Sequence, residues 1–225
     1  MKSSGGLCAV AVVVVVFASF VAAVAEPPAG AKDLGPAVWK GNAPNSADTF
    51  RFVILSDRNG GCVPGIWKAA VRQTNLLRPD FVMTAGDLIA GSSDPNELDT
   101  MWKEFDAIAR GLDAPFYYCP GNHDVGARGS LKAYIDRHGV GGKSYYSFDR
   151  GGCHFVILDT NTALADPNSA NEQLAWLAKD LAAAEDALHV FLFYHHPLWG
   201  NRTIWPRLEK LLDPARYDDV VADVC

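Results

Sequence analysis

The sequence predicts an α/β fold, on three observations. Short apolar runs rich in β-branched and aromatic residues recur along it, helical patterns separate the first of them, and the runs end repeatedly in a polar side chain. The stretch "FRFVILSD" (50–57) reads as a buried strand ending in Asp57. "GIWKAAVRQTNLLRPD" (65–80) follows as a helix, with Ile66, Ala70, Val71 and Leu77 on one approximate face and Pro79 ending it. A second strand, within "PDFVMTAGD" (79–87), ends in Asp87. This strand-helix-strand unit places both aspartates at the carboxyl edge of a parallel sheet, where binding crevices form.

The same alternation continues. "PNELDTMWKEFDAIARGL" (95–112) is helical, and "APFYYCPGNHD" (114–124) is a third short strand delivering Asn122, His123 and Asp124. "KSYYSFDRGGCHFVILDTN" (143–161) reads as two strands turning at "DRGG". Ser169 and Glu172 have the spacing of a capping box, which announces a helix carrying Leu174, Trp176, Leu177 and Leu181 inward. "LHVFLFYHHP" (188–197) is an apolar strand ending in His195 and His196.

Ahead of this domain, "LCAVAVVVVVFASFVAAVA" (7–25) follows Lys2 and closes on Ala23 and Ala25. Residues 1–25 are thus expected to be a secretory signal peptide, with a membrane anchor as the rival reading. Cleavage would leave no stable membrane anchor and a secreted or periplasmic chain. Residues 26–49, rich in Pro, Gly and small polar groups, are expected to be a flexible leader, and 50–225 a single domain. The chain carries −6 at pH 7, and loss of Lys2 with the signal peptide makes it more negative, so a basic nucleic-acid-binding face is disfavoured. Of the cysteines, Cys62, Cys119, Cys153 and Cys225 follow the leader without the spacing of a structural zinc site, and no pairing follows from sequence.

Four strands therefore bring carboxylate, amide and imidazole groups to one edge: Asp57, Asp87, Asn122 with His123 and Asp124, and His195 with His196. Each alone suits a turn or a helix cap. Together they form a ligand set for a hard-to-borderline divalent metal such as Zn, Mn or Fe.

"GDLI", "GNHD" and "HHP", each after a strand, resemble the motifs of the calcineurin-like metallophosphoesterases and their secreted, purple-acid-phosphatase-like branch. The resemblance covers about Phe50 to Trp199. It implies a four-layer αββα sandwich of two mixed sheets and a metal-dependent phosphoester hydrolase using two metals and a metal-activated water. Asp57 then matches a ligand of the first metal, Asp87 the bridging carboxylate, and Asn122 and His195 ligands of the second. His123 matches the group that meets the scissile phosphate or protonates the leaving group, and Asp124 is expected to orient it. A small phosphorylated molecule is the implied substrate.

Three positions depart from that pattern. Asn59 stands where the family has histidine, and either its amide oxygen coordinates metal or it shapes the turn. Ala90 stands where purple acid phosphatases have tyrosine. The final Gly-His-x-His motif is expected after "LEKLLDPARYDD" (208–219), where the chain reads "VVADVC". The expectation is a fragment or degenerate relative, its C-terminal strands missing and its second metal position better preserved than the first. The alternative from another class is a non-catalytic exported domain that binds metal or a phosphorylated ligand. Arg58 either meets substrate phosphate or is a solvated loop cation.

Overall fold

The computed structural model describes residues 15–19, 49–59, 63–198, 200–212 and 220–222. The first half runs β1 (Val15–Ser19), β2 (Thr49–Ile54), α1 (Ile66–Leu77), β3 (Phe81–Met83), α2 (Pro95–Ala109), β4 (Phe116–Tyr117), α3 (Asn122–Val125) and α4 (Ser130–His138). The second half runs β5 (Tyr146–Arg150), β6 (Cys153–Ile157), α5 (Thr160–Ala165), α6 (Pro167–Ala183), β7 (His189–Phe193), α7 (Trp205–Leu211) and β8 (Val220–Ala222). Two four-stranded sheets result, ordered β1-β2-β3-β4 and β5-β6-β7-β8. Each is mixed: β1 lies antiparallel to β2 and β5 to β6, and the other pairs are parallel.

The layering follows from alternation along strands that are buried on both faces. Phe52 and Ile54, Phe81 and Met83, Phe155 and Ile157, and Phe191 and Phe193 form the cluster between the sheets. Their neighbours Val53, Leu55 and Val82 face outward onto Trp67, Val71, Trp102, Phe105 and Tyr134 of α1, α2 and α4. Val156, Leu158, Val190 and Leu192 face outward onto Leu174, Leu177, Leu181 and Leu208 of α6 and α7. The four layers are therefore α, β, β, α, as expected.

Aromatic rings dominate the middle layer. Phe52 stacks on Phe81 with centroids 5.1 Å apart, and Phe155 meets Phe81 edge-on at 5.2 Å. Each such pair contributes about 0.5–1.5 kcal/mol beyond area burial. Tyr146 Oη donates to the Tyr118 carbonyl at 2.9 Å, and Arg150 pairs with Asp80 at 3.3 Å, tying one sheet to the other.

Several local expectations are revised. The inward face of α1 is Trp67, Val71 and Thr74, while Ile66 is 50% and Leu77 38% exposed. The bulky indole wins the core position from its neighbour. The helix α6 starts earlier than the Ser169 signal, because Asp166 accepts from Ser169 N at 2.9 Å and Pro167 sets the first turn. Glu172 pairs instead with Lys143 at 2.9 Å. The helices α4, α5 and α7 were not anticipated.

Strand β1 lies within the segment read as a signal peptide, and β8 lies within "VVADVC" beside β7. The rest of the signal segment and residues 26–48 of the leader are outside the described residues. So are Cys62 and Cys225, whereas Cys119 and Cys153 are buried free thiols between the sheets. Among the described residues no helix is long and apolar enough to cross a membrane.

Candidate metal centre

The site is assembled where two strand-to-helix loops are laced together. Beyond β2, Leu55 N donates to Met83 O at 2.9 Å, Asp57 N to Gly86 O at 3.2 Å and Asn59 N to Asp87 O at 2.9 Å. Asp57 and Asp87 both sit in the left-handed region, with φ of 51° and 56°. Such strain costs on the order of 1–3 kcal/mol per residue and gathers at functional sites. It turns both carboxylates toward one point.

Glycines let the third loop close on them. A Cβ on Gly121 would lie 2.1 Å from Asp87 N and 2.2 Å from its Oδ1, and one on Gly86 would lie 2.4 Å from Gly121 N. Only hydrogen fits in either place, so the "GD" and "GN" loops meet backbone to backbone. Asn122 is thereby set next to Asp87, whose Oδ1 accepts from His123 N at 3.0 Å.

His195 arrives from the second sheet just past β7. Its Nδ1 lies 2.9 Å from the Ala85 carbonyl, which can only accept, so Nδ1 carries the proton. In the neutral ring Nε2 then holds a lone pair, and it lies 2.8 Å from Asn122 Oδ1, also an acceptor, and 3.5 Å from Asp87 Oδ1. A cation between the two acceptors reconciles them, as does turning the Asn122 amide so that its Nδ2 donates to the ring. Ligand atoms of Asp57, Asp87 and His195 all lie within 4.8 Å of one another. Partial burial raises the Asp57 carboxyl above its usual range; His195 opposes that rise and the Asp87 charge adds to it. A divalent cation removes both the burial and the repulsion penalty, so this donor set fits a metal.

His123 stands at the rim, with its ring Nδ1 3.0 Å from Ala90 O and Nε2 3.9 Å from Asp87 Oδ2. The expected Asp124–His123 pair is not formed. Asp124 is fully buried, its Oδ1 accepting from Leu88 N at 2.9 Å and Ile89 N at 3.2 Å and its Oδ2 from Gly121 N at 2.9 Å. It clamps the "GDLI" loop to the "GNHD" turn, and the Ala90 carbonyl holds the imidazole. Burial, despite these hydrogen bonds, lifts the Asp124 carboxyl to about 7.

Around this cluster, Arg58 is structural: it donates to Leu88 O at 3.1 Å and pairs with Glu104 at 2.6 Å. Asn59 is held against the site through its backbone bond to Asp87. His196 is a neighbour rather than a member, its Nδ1 and backbone N both near Thr160 Oγ1 at 3.2 and 3.0 Å. Asn161 Nδ2 reaches Pro120 O at 2.9 Å, so the second sheet also braces the "GNHD" turn. The Ala85 and Ala90 carbonyls and the Asn161 brace were missed from sequence; the paired glycines of "GD" and "GN" were the signal available for the loop contact.

A family model described as calcineurin-like phosphoesterase matches residues 50–222. The chain belongs to that family. It is 34% identical over 149 residues to purple acid phosphatase 23 of Arabidopsis thaliana, covering 55% of this chain and 32% of that protein. It is 25% identical over 181 residues to the serine/threonine-protein phosphatase CPPED1 of Mus musculus, covering 72% of this chain and 58% of that one. The chain thus spans less than two thirds of either relative. A dimetal phosphatase from Danio rerio shares the fold at a TM-score of 0.56 and 16% identity, over 72% of this chain and 77% of that one. As a calcineurin-like phosphoesterase, the chain carries in its Asp57, Asp87 and His195 cluster a group suited to metal.

Proposed function

We propose that the chain is a metal-dependent phosphoester hydrolase whose reacting phosphoryl group lies over Asp57, Asp87, Asn122 and His195. The observation that carries this reading is the convergence of Asp57, Asp87 and His195 from two sheets, their ligand atoms within 4.8 Å, with Asn122 Oδ1 2.8 Å from the His195 ring. Zn, Mn or Fe suits this mixture of oxygen and imidazole donors. A bound divalent metal supplies Lewis-acid polarisation of the phosphoester and activation of a water.

The protein groups do the rest. Asp87, Asn122 and His195 would hold one cation, and Asp57 with Asp87 and the amide of Asn59 a second. The Ala85 carbonyl fixes the His195 tautomer so that Nε2 faces the cluster. His123, anchored by Ala90 O, keeps Nε2 at the rim, where it gives a proton to the departing oxygen. General acid catalysis of this kind contributes about 10²- to 10⁴-fold. The relatives' names include acid and protein phosphatases, and the substrate here is read as a small phosphorylated molecule met outside the cytoplasm, consistent with residues 1–25 acting as an export signal.

The test is metal content together with p-nitrophenyl phosphate hydrolysis, with Mn or Zn supplied. Bound metal and turnover, with metal lost in Asp87→Ala and turnover alone lost in His123→Ala, is the expected result. Metal bound without turnover would favour the non-catalytic reading, and neither would sink both.

A further inference from the structure

We propose that the turn formed by Asp159, Thr160 and Asn161, where β6 passes into α5, is a positioning element for the metal centre. It fixes the separation of Asn122 and His195 and so sets the affinity of the site for a divalent cation. The proposal rests on the metal-dependent reading above, and none of the three residues is read as a ligand.

The turn touches both loops that carry the pair. Asn161 Nδ2 donates to Pro120 O at 2.9 Å, two residues before Asn122. Thr160 Oγ1 accepts from His196 N at 3.0 Å, one residue after His195, and lies 3.2 Å from His196 Nδ1. With His195 Nε2 2.8 Å from the Asn122 amide, these contacts close a circuit from Asn122 through Pro120, Asn161, Thr160 and His196 back to His195. The Pro120 carbonyl is itself packed on the "GD" loop, since its carbon would lie 3.0 Å from a Cβ on Gly86.

A positioning element must itself be rigid. Asp159 is fully buried. Its Oδ1 accepts from Asn161 N at 3.0 Å, Thr162 N at 3.1 Å and Asn161 Nδ2 at 3.2 Å, and its Oδ2 from Ser144 Oγ at 2.6 Å. Its backbone N donates to Gln173 Oε1 at 2.7 Å and its carbonyl accepts from Gln173 Nε2 at 2.9 Å, which ties the turn to α6. Leu158 N donates to Phe193 O at 2.9 Å and pins the same turn to the end of β7. Asn161 also separates positioning from stability. Its Oδ1 is buried and, among the described residues, has no hydrogen-bond partner. Leucine there removes that unmet acceptor and leaves Pro120 O unmet in its place, so stability changes little while the link to the "GNHD" turn is lost.

Three readouts test this on the full chain: calorimetric titration with Zn and with Co, the visible spectrum of the Co-loaded protein, and melts of the metal-free protein. Asn161→Leu and Thr160→Val are each expected to weaken metal binding about 10- to 100-fold and to alter the Co ligand-field bands. The metal-free melting temperature of Asn161→Leu should stay within about 4 °C of wild type. Thr160→Ser, which keeps the hydroxyl, should retain near-wild-type affinity and spectrum. Unchanged affinity in either Asn161→Leu or Thr160→Val overturns the proposal. So does weaker binding that Thr160→Ser shares in full, or a drop in the Asn161→Leu melting temperature beyond that range, since each marks a merely structural role. Wild-type protein that binds metal without hydrolysing p-nitrophenyl phosphate overturns the hydrolase reading and leaves this one standing. Wild-type protein that binds no metal overturns both.

Discussion

Replacing Asp124 by asparagine separates two roles that the same residue could play. The wild-type carboxylate accepts three backbone N–H groups, from Leu88, Ile89 and Gly121, in a fully buried place. Alanine would strand all three at about 1–3 kcal/mol each, a total comparable with the whole stability of a domain, about 5–15 kcal/mol. Asparagine is the informative change. Its oxygen can keep Leu88 and Ile89, but its amide then faces the Gly121 N–H, donor against donor, at a cost of about 1–3 kcal/mol. The "GNHD" turn should loosen from Asp87, so the expected result is a lower melting temperature and roughly 10- to 100-fold weaker metal binding, the range seen when groups supporting metal ligands are altered. At saturating metal the turnover and its pH profile should stay near wild type, because Asp124 does not touch the His123 ring. Equilibrium dialysis against buffered Zn or Mn, thermal melts and a pH–rate profile measure these quantities. A shifted His123-dependent limb of that profile, with metal affinity unchanged, would refute the reasoning.

Other outcomes follow from the same geometry. Gly121→Ala should abolish metal binding more completely than Asn122→Ala, since its methyl lands 2.2 Å from Asp87 Oδ1; isothermal titration ranks the two. Chelation should lower the melting temperature by about 5–10 °C relative to protein held at a hundredfold excess over the metal Kd. His154 lies between Asp149 at 2.6 Å and Asp180 at 2.9 Å; burial works to lower its pKa, yet the hydrogen bonds to Asp180 and Asp149 outweigh that and raise it. Its contribution is therefore full below about pH 6.5 and lost as pH rises through the raised value, and melts of His154→Gln should lack that alkaline decline. His138 has the opposite sign: burial, with a smaller push from Arg137, lowers it to about 3, so its contribution is present above about pH 6.5 and lost as pH falls toward that value. His138→Phe should flatten the acid side of the same melt series.

The fold was legible where one rule governs a residue. Strand runs with alternating Phe and Val needed no partner to be recognised, and the strand ends carrying Asp57, Asp87, Asn122 and His195 followed from where those runs stop, although His195 stands on the second sheet and not on the same sheet edge as the other three. What escaped was decided by competition between neighbours. Trp67 displaced Ile66 from the core because it buries more area, and Asp166 with Pro167 started α6 ahead of Ser169. The roles of backbone atoms also escaped, since the Ala85 and Ala90 carbonyls orient two imidazoles without any side-chain signature. Adjacency in sequence made Asp124 look like the partner of His123, but the α3 turn points the carboxylate inward to three N–H groups and the ring outward to the rim. Arg58 was ambiguous until Glu104, far along the chain, came into reach.

The aromatic layer between the sheets has a mechanical consequence for the rim. Asp57, Asp87 and Asn122 belong to one leaf of the sandwich and His195 to the other, so a shared cation would rivet the two leaves along a single edge. The gap that this rivet must bridge is gauged by the rings beneath it, with Phe52 and Phe155 meeting at 5.5 Å and Phe52 and Phe193 at 6.2 Å. Thinning that spacer, for instance with Leu in place of Phe52, would draw the leaves together or let them slide, and so detune the ligand set from below without altering any residue of it. Precision at the surface of this molecule is thus set by its least polar stratum.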